Sequence, residues 1–130
     1  MSTARVQILV VDDDADMLRL LSLRLGAAGH QVTAVASAEE ALARLEVLRP
    51  QLVLSDVRLP GMDGLALFDA VQARLPGLPV ILLTAHGSIP DAVDATLRGV
   101  FSYLTKPFDG QELLAAVGKA LAVSATARPL

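Results

Sequence analysis

Short aliphatic blocks recur along this chain, and three of them end in a charge or a hydroxyl. Ile8-Leu9-Val10-Val11 runs into Asp12-Asp13-Asp14, Leu52-Val53-Leu54-Ser55 into Asp56, and Val80-Ile81-Leu82-Leu83 into Thr84. Unbroken apolar blocks of this length, rich in β-branched residues, read as strands buried on both faces, the pattern of a parallel sheet. The segments between them change to helical spacing. Met17, Leu20, Leu21 and Leu25 form a first amphipathic stretch that stops near Gly26 and Gly29. Ala38, Ala41, Leu42, Leu45 and Leu48 line a second, opened by the capping box Ser37…Glu40 and followed by Pro50. Leu65, Phe68, Val71 and Leu75 line a third, ended by Pro76-Gly77. A fourth is predicted to start at Ser88, with Pro90 and Asp91 in its first turn, and to close at Gly99. A fifth starts at Asp109 and turns Leu113, Val117, Ala120 and Leu121 inward.

The strands expected between these helices are Gln7–Val11, Gln31–Ala36, Leu52–Ser55, Pro79–Leu83 and Phe101–Thr105. Alternation of strand and helix throughout makes this an α/β protein, a (βα)₅ unit whose parallel strands are covered on both faces. Residues 5–123 are read as one domain. Ser124–Leu130, without periodicity, reads as a frayed tail or the stub of a linker. Periodicity alone leaves the order of the strands open.

Composition narrows the functional classes. At 130 residues, 53% hydrophobic and 19% charged, the chain is built to pack. A net charge of −3, with acids and bases mixed, gives no basic face for direct nucleic-acid binding. The lack of cysteine excludes disulfides, thiolate zinc sites and cysteine nucleophiles. Met1–Arg5 leads at once into the first strand, which leaves no room for a signal peptide, and no apolar run approaches the length of a membrane span. The expectation is a soluble cytoplasmic domain.

In a parallel sheet the carboxyl ends of the strands gather along one edge, where ligands bind. That edge would collect Asp12 and Asp13 from the first strand, Asp56 from the third, Thr84 from the fourth and Lys106 from the fifth. A helix start needs one cap, and Asp14 or Asp16 is expected to provide it, so the pair Asp12-Asp13 is surplus to capping. Carboxylates crowded at about 4 Å repel by about 1 kcal/mol per pair in water and about 4 at an effective dielectric of 20. A hard divalent cation relieves that repulsion, and Mg²⁺ is the usual one where carboxylates meet phosphate. A carboxylate such as Asp56 can act as a nucleophile in aspartyl-phosphate chemistry, although alone it would read as the start of an Asx-turn. Lys106, one of two lysines in the chain, can supply a point charge for a phosphate, and the Thr84 hydroxyl a hydrogen bond. His30, in a turn after Gly29, is expected at the surface. His86, near the pocket edge, has no second histidine with which to build a metal site.

Together these residues resemble the receiver domain of two-component response regulators. The resemblance covers residues 5–123 and rests on Val11-Asp12-Asp13, on Ser55-Asp56 with Leu59-Pro60-Gly61-Met62-Asp63-Gly64, on Leu83-Thr84-Ala85, and on Tyr103-Leu104-Thr105-Lys106-Pro107-Phe108. It implies a flavodoxin-like fold of strand order 2-1-3-4-5, the order the family shares with other doubly wound proteins. It implies Asp56 as phosphoacceptor from a sensor histidine kinase or phosphotransfer protein. Mg²⁺ would be held by Asp13, Asp56 and the backbone carbonyl of Arg58, with Asp12 acting through a metal-bound water. Thr84 and Lys106 would hold phosphoryl oxygens, Tyr103 would be the switch aromatic, and the Lys106–Pro107 peptide would be cis.

The run Leu83–Val93 followed by Gly99–Pro107 is similar to receivers of the nitrogen-regulator type, which precede a sigma-54-activating ATPase and a DNA-binding domain. On that resemblance the partners are a kinase, an output domain in the full-length protein and a second copy of the chain in a dimer. A stand-alone phosphorelay receiver is the alternative output. A Mg²⁺-dependent phosphohydrolase using Asp56 would commonly carry a second aspartate where this chain has Arg58. A nucleotide-binding flavodoxin-like domain would need a glycine-rich loop after the first strand, where the acids stand instead. A pseudo-receiver would not need the full set of acids, threonine and lysine.

Overall fold

Every predicted apolar block becomes a strand of one parallel five-stranded sheet. In a computed structural model that describes the backbone of residues 6–85 and 89–127, and the side chains of 6–85 and 93–123, the elements alternate throughout. They are β1 (Gln7–Val11), α1 (Ala15–Ala27), β2 (Gln31–Val35), α2 (Ala38–Leu48), β3 (Leu52–Asp56), α3 (Gly64–Arg74), β4 (Val80–Thr84), α4 (Ile89–Arg98), β5 (Ser102–Thr105) and α5 (Gly110–Ala127). The strand order is β2-β1-β3-β4-β5, all pairs parallel. This is the flavodoxin-like (βα)₅ sandwich.

Side-chain alternation along the strands feeds two separate cores, because successive residues point to opposite faces. Leu9, Val11, Val53 and Leu82 face Ala41 and Leu45 of α2, Leu67, Phe68 and Val71 of α3, and Ala95 of α4. Ile8, Val10, Leu52, Leu54, Ile81 and Leu83 face Leu21 and Leu25 of α1 and Leu113, Val117 and Ala120 of α5. The three central strands are thereby buried at almost every position, which is why they are unbroken apolar blocks in the sequence.

The helix starts follow local chemistry. Asp14 caps α1, its carboxylate accepting from the amides of Asp16 and Met17. Ser37 caps α2 through the Glu40 amide at 3.1 Å, one half of the expected box. Asp63 caps α3 through the Ala66 amide at 2.8 Å, and the Asp109 carboxylate accepts from Gln111 at the start of α5. Four details differ from expectation. Residues 124–127 continue α5 to Ala127, because Ser124-Ala125-Thr126-Ala127 holds no glycine or proline and a formed helix extends at little cost. In α1, Leu20 is 41% exposed and Leu18 packs partly inward in its place. β3 and β4 run one residue further, to Asp56 and Thr84, so the site residues end the strands themselves. Leu67, not singled out by periodicity, is fully buried in α3. His86 and the predicted cap Ser88 lie outside the described residues.

Leu54 is fully buried on β3, and truncation to alanine is expected to lower the free energy of unfolding by about 2–5 kcal/mol. Val47 on α2, 90% exposed, serves as control, and its alanine variant is expected within about 0.5 kcal/mol of wild type. Urea denaturation followed by circular dichroism compares the two, and equal midpoints would contradict the assignment of the core.

Candidate functional site

Register brings the acids together. Val11 is opposite Ser55, so the residues that follow, Asp12 and Asp56, leave the sheet side by side. One carboxylate oxygen from each of Asp12, Asp13 and Asp56 lies within 4.8 Å of the others. Asp12 is fully buried and Asp56 nearly so, whereas Asp13 is open to solvent. Such a set, with two buried acids and one at the mouth, offers hard oxygen ligands to a divalent cation of the Mg²⁺ type.

Lys106 reaches the same point from β5. Its backbone amide donates to the Thr84 carbonyl at 2.6 Å, which ties the residue after β5 to the end of β4. The Lys106–Pro107 bond that follows is cis, as the resemblance implied. The ammonium donates to Asp12 Oδ2 at 3.0 Å and to Asp56 Oδ2 at 3.1 Å. The remaining carboxylate oxygens are also engaged. Asp12 Oδ1 accepts from the Asp14 amide at 2.9 Å, and Asp56 Oδ1 from the Arg58 amide at 3.1 Å.

Burial drives the pKa of Asp12 above the usual carboxylate range, against the opposing pull of the Asp14 amide and the Lys106 ammonium. For Lys106 burial acts downward. The hydrogen bonds and charges of Asp12 and Asp56 outweigh it and hold the ammonium above the ordinary lysine value. The carboxylates thus outnumber the cation they share, and one ammonium does not relieve them all.

Thr84 is buried at the end of β4 beside Thr105 of β5, and Tyr103 pairs in register with Leu82. Tyr103 is half-buried and packs against the core on the α2-α3-α4 face. The structure therefore brings Asp12, Asp13, Asp56 and Lys106 into one site, with Thr84 one strand away and Tyr103 further along β5. Arg58 lies in the loop after β3. That loop and Asp13 line an open groove of about 700 Å³ beside the acids, with Val57, Arg58, Pro60, Gly61 and Asp63 along its wall.

Three contributors were not evident from the chain. Ser55, buried, donates its hydroxyl to the Asp56 carbonyl at 2.9 Å. Gly64 donates its amide to the Val57 carbonyl at 2.8 Å, and a Cβ there would overlap the Asp56 carbonyl and approach Val57 Cα to 2.8 Å. The glycine is needed for close approach of α3 to the end of β3, since its φ is not in the left-handed range. Glu39, from α2, accepts from the Met62 amide at 3.2 Å. Ser55 and Gly64 stand in motifs that sequence reading singled out, but only the contact reveals their work. Glu39 had no signal, being 23 residues from its partner.

The chain is thus a doubly wound α/β domain with an acid cluster and one lysine at the carboxyl edge of its sheet. Residues 8–118 match the family described as the response regulator receiver domain, and the chain belongs to that family. It is 50% identical over 127 residues to the transcriptional regulatory protein GlrR of Escherichia coli strain K12, covering 98% of this chain and 29% of that protein. It is 46% identical over 112 residues to the DNA-binding transcriptional regulator NtrC of Salmonella typhimurium, covering 86% of this chain and 24% of that one. Among solved structures, a response regulator receiver domain protein of Clostridium thermocellum superposes with a TM-score of 0.90 at 28% identity, covering 95% of this chain and 99% of its own. NtrX of Brucella abortus gives 0.88 at 37% identity, over 95% of this chain and 28% of that protein. The chain therefore spans under a third of the length of these curated regulators. No described helix is long and apolar enough to cross a membrane.

Lys106→Met leaves the buried Asp12 carboxylate without its cation and is expected to lower stability by about 1–3 kcal/mol at pH 7. Because the folded pKa of Asp12 is raised, protonation removes the penalty, and the deficit shrinks as pH falls toward the carboxylate range. The lysine's contribution is fully present below the ordinary lysine pKa and is lost as pH rises through its raised folded value. Wild type should therefore lose stability in strong alkali more steeply than the variant. Denaturation midpoints across pH 4–11 read both arms. Gly64→Ala is expected to cost about 1–3 kcal/mol through the forced contact with β3, readable as a fall in thermal midpoint.

Proposed function

We propose that this domain accepts a phosphoryl group on Asp56 from a phosphohistidine of a sensor histidine kinase, or of a phosphotransfer protein, in a Mg²⁺-dependent step. The observation that carries this reading is the Lys106 ammonium shared between Asp12 and Asp56, inside a cluster of three carboxylates. Asp13, Asp56 and the Arg58 carbonyl would hold the Mg²⁺, with Asp12 acting through water. When bound, the ion would neutralise negative charge on the phosphoryl oxygens.

The residues of the chain supply the rest. An Asp56 carboxylate oxygen attacks phosphorus in line with the donor nitrogen, the O–P bond forms as the N–P bond breaks, and the imidazole departs neutral after taking up a proton. The Arg58 amide orients Asp56 through Oδ1. Lys106 moves from Asp56 Oδ2 to a phosphoryl oxygen, and the Thr84 hydroxyl donates to another. Positioning and charge neutralisation are the main demands of phosphoryl transfer. Transfer of Thr84 toward the phosphoryl group would free space for Tyr103 to turn inward and alter the surface of α4, β5 and α5. Moving such a two-state equilibrium from 1:99 to 99:1 takes about 5.5 kcal/mol of differential stabilisation.

The output we propose is transcription through a sigma-54-type activator, with the receiver working as one domain of a longer cytoplasmic regulator. Identity to transcriptional regulators of greater length supports this over a stand-alone phosphorelay receiver. Asp56→Asn is expected to abolish labelling by acetyl phosphate in the presence of Mg²⁺, read by intact mass, and chelation should do the same to wild type. Undiminished incorporation into the variant would sink the assignment of Asp56.

A further inference from the structure

Glu39 occupies the first turn of α2, where an acid ordinarily does no more than complement the helix dipole. Its side chain does something else. Oε2 leaves the helix to accept a hydrogen bond from the Met62 amide at 3.2 Å, across 23 residues of sequence. The neighbouring residue Gly61 has φ +76°, and a Cβ there would stand 3.0 Å from the same oxygen. A left-handed, side-chain-free residue thus lets the loop come up against the carboxylate.

This loop, residues 57–63, joins the phosphoacceptor strand to α3. Its ends are well held. The Val57 amide donates to the Leu83 carbonyl and the Gly64 amide to the Val57 carbonyl, both at 2.8 Å, and Leu59 is buried in the core. Pro60 and Gly61, beyond Leu59, are exposed and belong to no helix or strand. At this outer bend the Met62 amide is tied to Glu39. Arg58, four residues before Met62, lies in the same loop, and with Gly61 and Asp13 it lines the groove beside the acids.

We propose that Glu39 is a positioning residue for the cation at the acid cluster: by holding the bend at Met62 it keeps the loop in the form that presents the Arg58 carbonyl beside Asp13 and Asp56. The inference rests on the receiver reading given above, in which that carbonyl is a ligand. Glu39 does not touch the acids or the cation and acts through the backbone. Its hydrogen bond is at the protein surface, so the effect is moderate.

Three proteins test it: wild type, Glu39→Ala and Glu39→Gln, each titrated with MgCl₂ by calorimetry and followed by amide hydrogen exchange at Met62. Glu39→Ala is expected to weaken Mg²⁺ binding about three- to tenfold, the scale of one net hydrogen bond. Glutamine keeps an acceptor oxygen for the Met62 amide, so Glu39→Gln should stay within about twofold of wild type. Met62 should exchange faster in the alanine variant alone, with or without Mg²⁺. Equal affinity in wild type and Glu39→Ala would overturn the proposal. So would a glutamine variant as weak as alanine, which would assign the effect to the charge acting at a distance. Unchanged Met62 exchange in Glu39→Ala would refute the contact itself. Failure of wild type to bind Mg²⁺ would instead overturn the metal-dependent reading of the site, a result separable from the exchange data.

Discussion

The site depends on one ammonium placed between two carboxylates that would otherwise repel each other. Lys106 Nζ lies 3.0 Å from Asp12 and 3.1 Å from Asp56, and both acids are largely withdrawn from water. At an effective dielectric of 20, like charges 4 Å apart cost about 4 kcal/mol. The lysine offsets part of that cost, and burial, with a smaller push from Asp56, still holds the pKa of Asp12 raised. A fully balanced cluster would have little need of a further cation. An under-neutralised one retains affinity for a divalent ion, and its lysine can exchange one anionic partner for another. Such a ground state suits the phosphoryl transfer proposed for this site.

Holding this arrangement requires rigid neighbours. The strand order puts β1 and β3 in the interior of the sheet, with helices covering both faces, so the ends bearing Asp12 and Asp56 are fixed by strands buried on both sides. Around them are small fittings: the Ser55 hydroxyl on the Asp56 carbonyl, Gly64 against the same carbonyl, and the Thr84 carbonyl on the Lys106 amide. These contacts turn loop residues into a site of defined geometry, with exposed Asp13 and the groove beside it as the way in. Precision at the edge of the sheet is a product of its interior.

Similarity to longer regulators separates what the domain does from what it controls. GlrR and NtrC share about half of their aligned positions with this chain, yet the match occupies only 29% and 24% of their lengths. The acid cluster and its lysine lie within the matched residues. The proposed output depends on segments beyond the match, and communication between them must pass over the surface of the domain. The exposed apolar residues Val93 and Leu97 lie on α4, one element of the surface expected to respond.

Much of this was legible from one dimension. Unbroken aliphatic blocks mark strands covered on both faces, because the central strands of a doubly covered parallel sheet bury both sets of side chains. Asp12, Asp13, Asp56 and Lys106 are conspicuous because they interrupt or follow those blocks, where a purely structural chain would place ordinary turn residues. The caps at Asp14 and Ser37 were readable for a similar reason, since they act on amides two or three residues away. Helix ends were less legible: the last turn of α5 forms because nothing in Ser124–Ala127 stops it. Contacts set by approach in space left no local trace. Gly64 is needed because α3 crosses the end of β3 too closely for a Cβ, and Glu39 meets Met62 only because α2 and the loop after β3 pack side by side. The sequence by itself determined the elements and the chemistry at their ends, because hydrophobic period and charge are local properties. Tertiary structure decided which groups meet, because distances of 3 Å between residues 50 and 94 positions apart exist only once the sheet has formed.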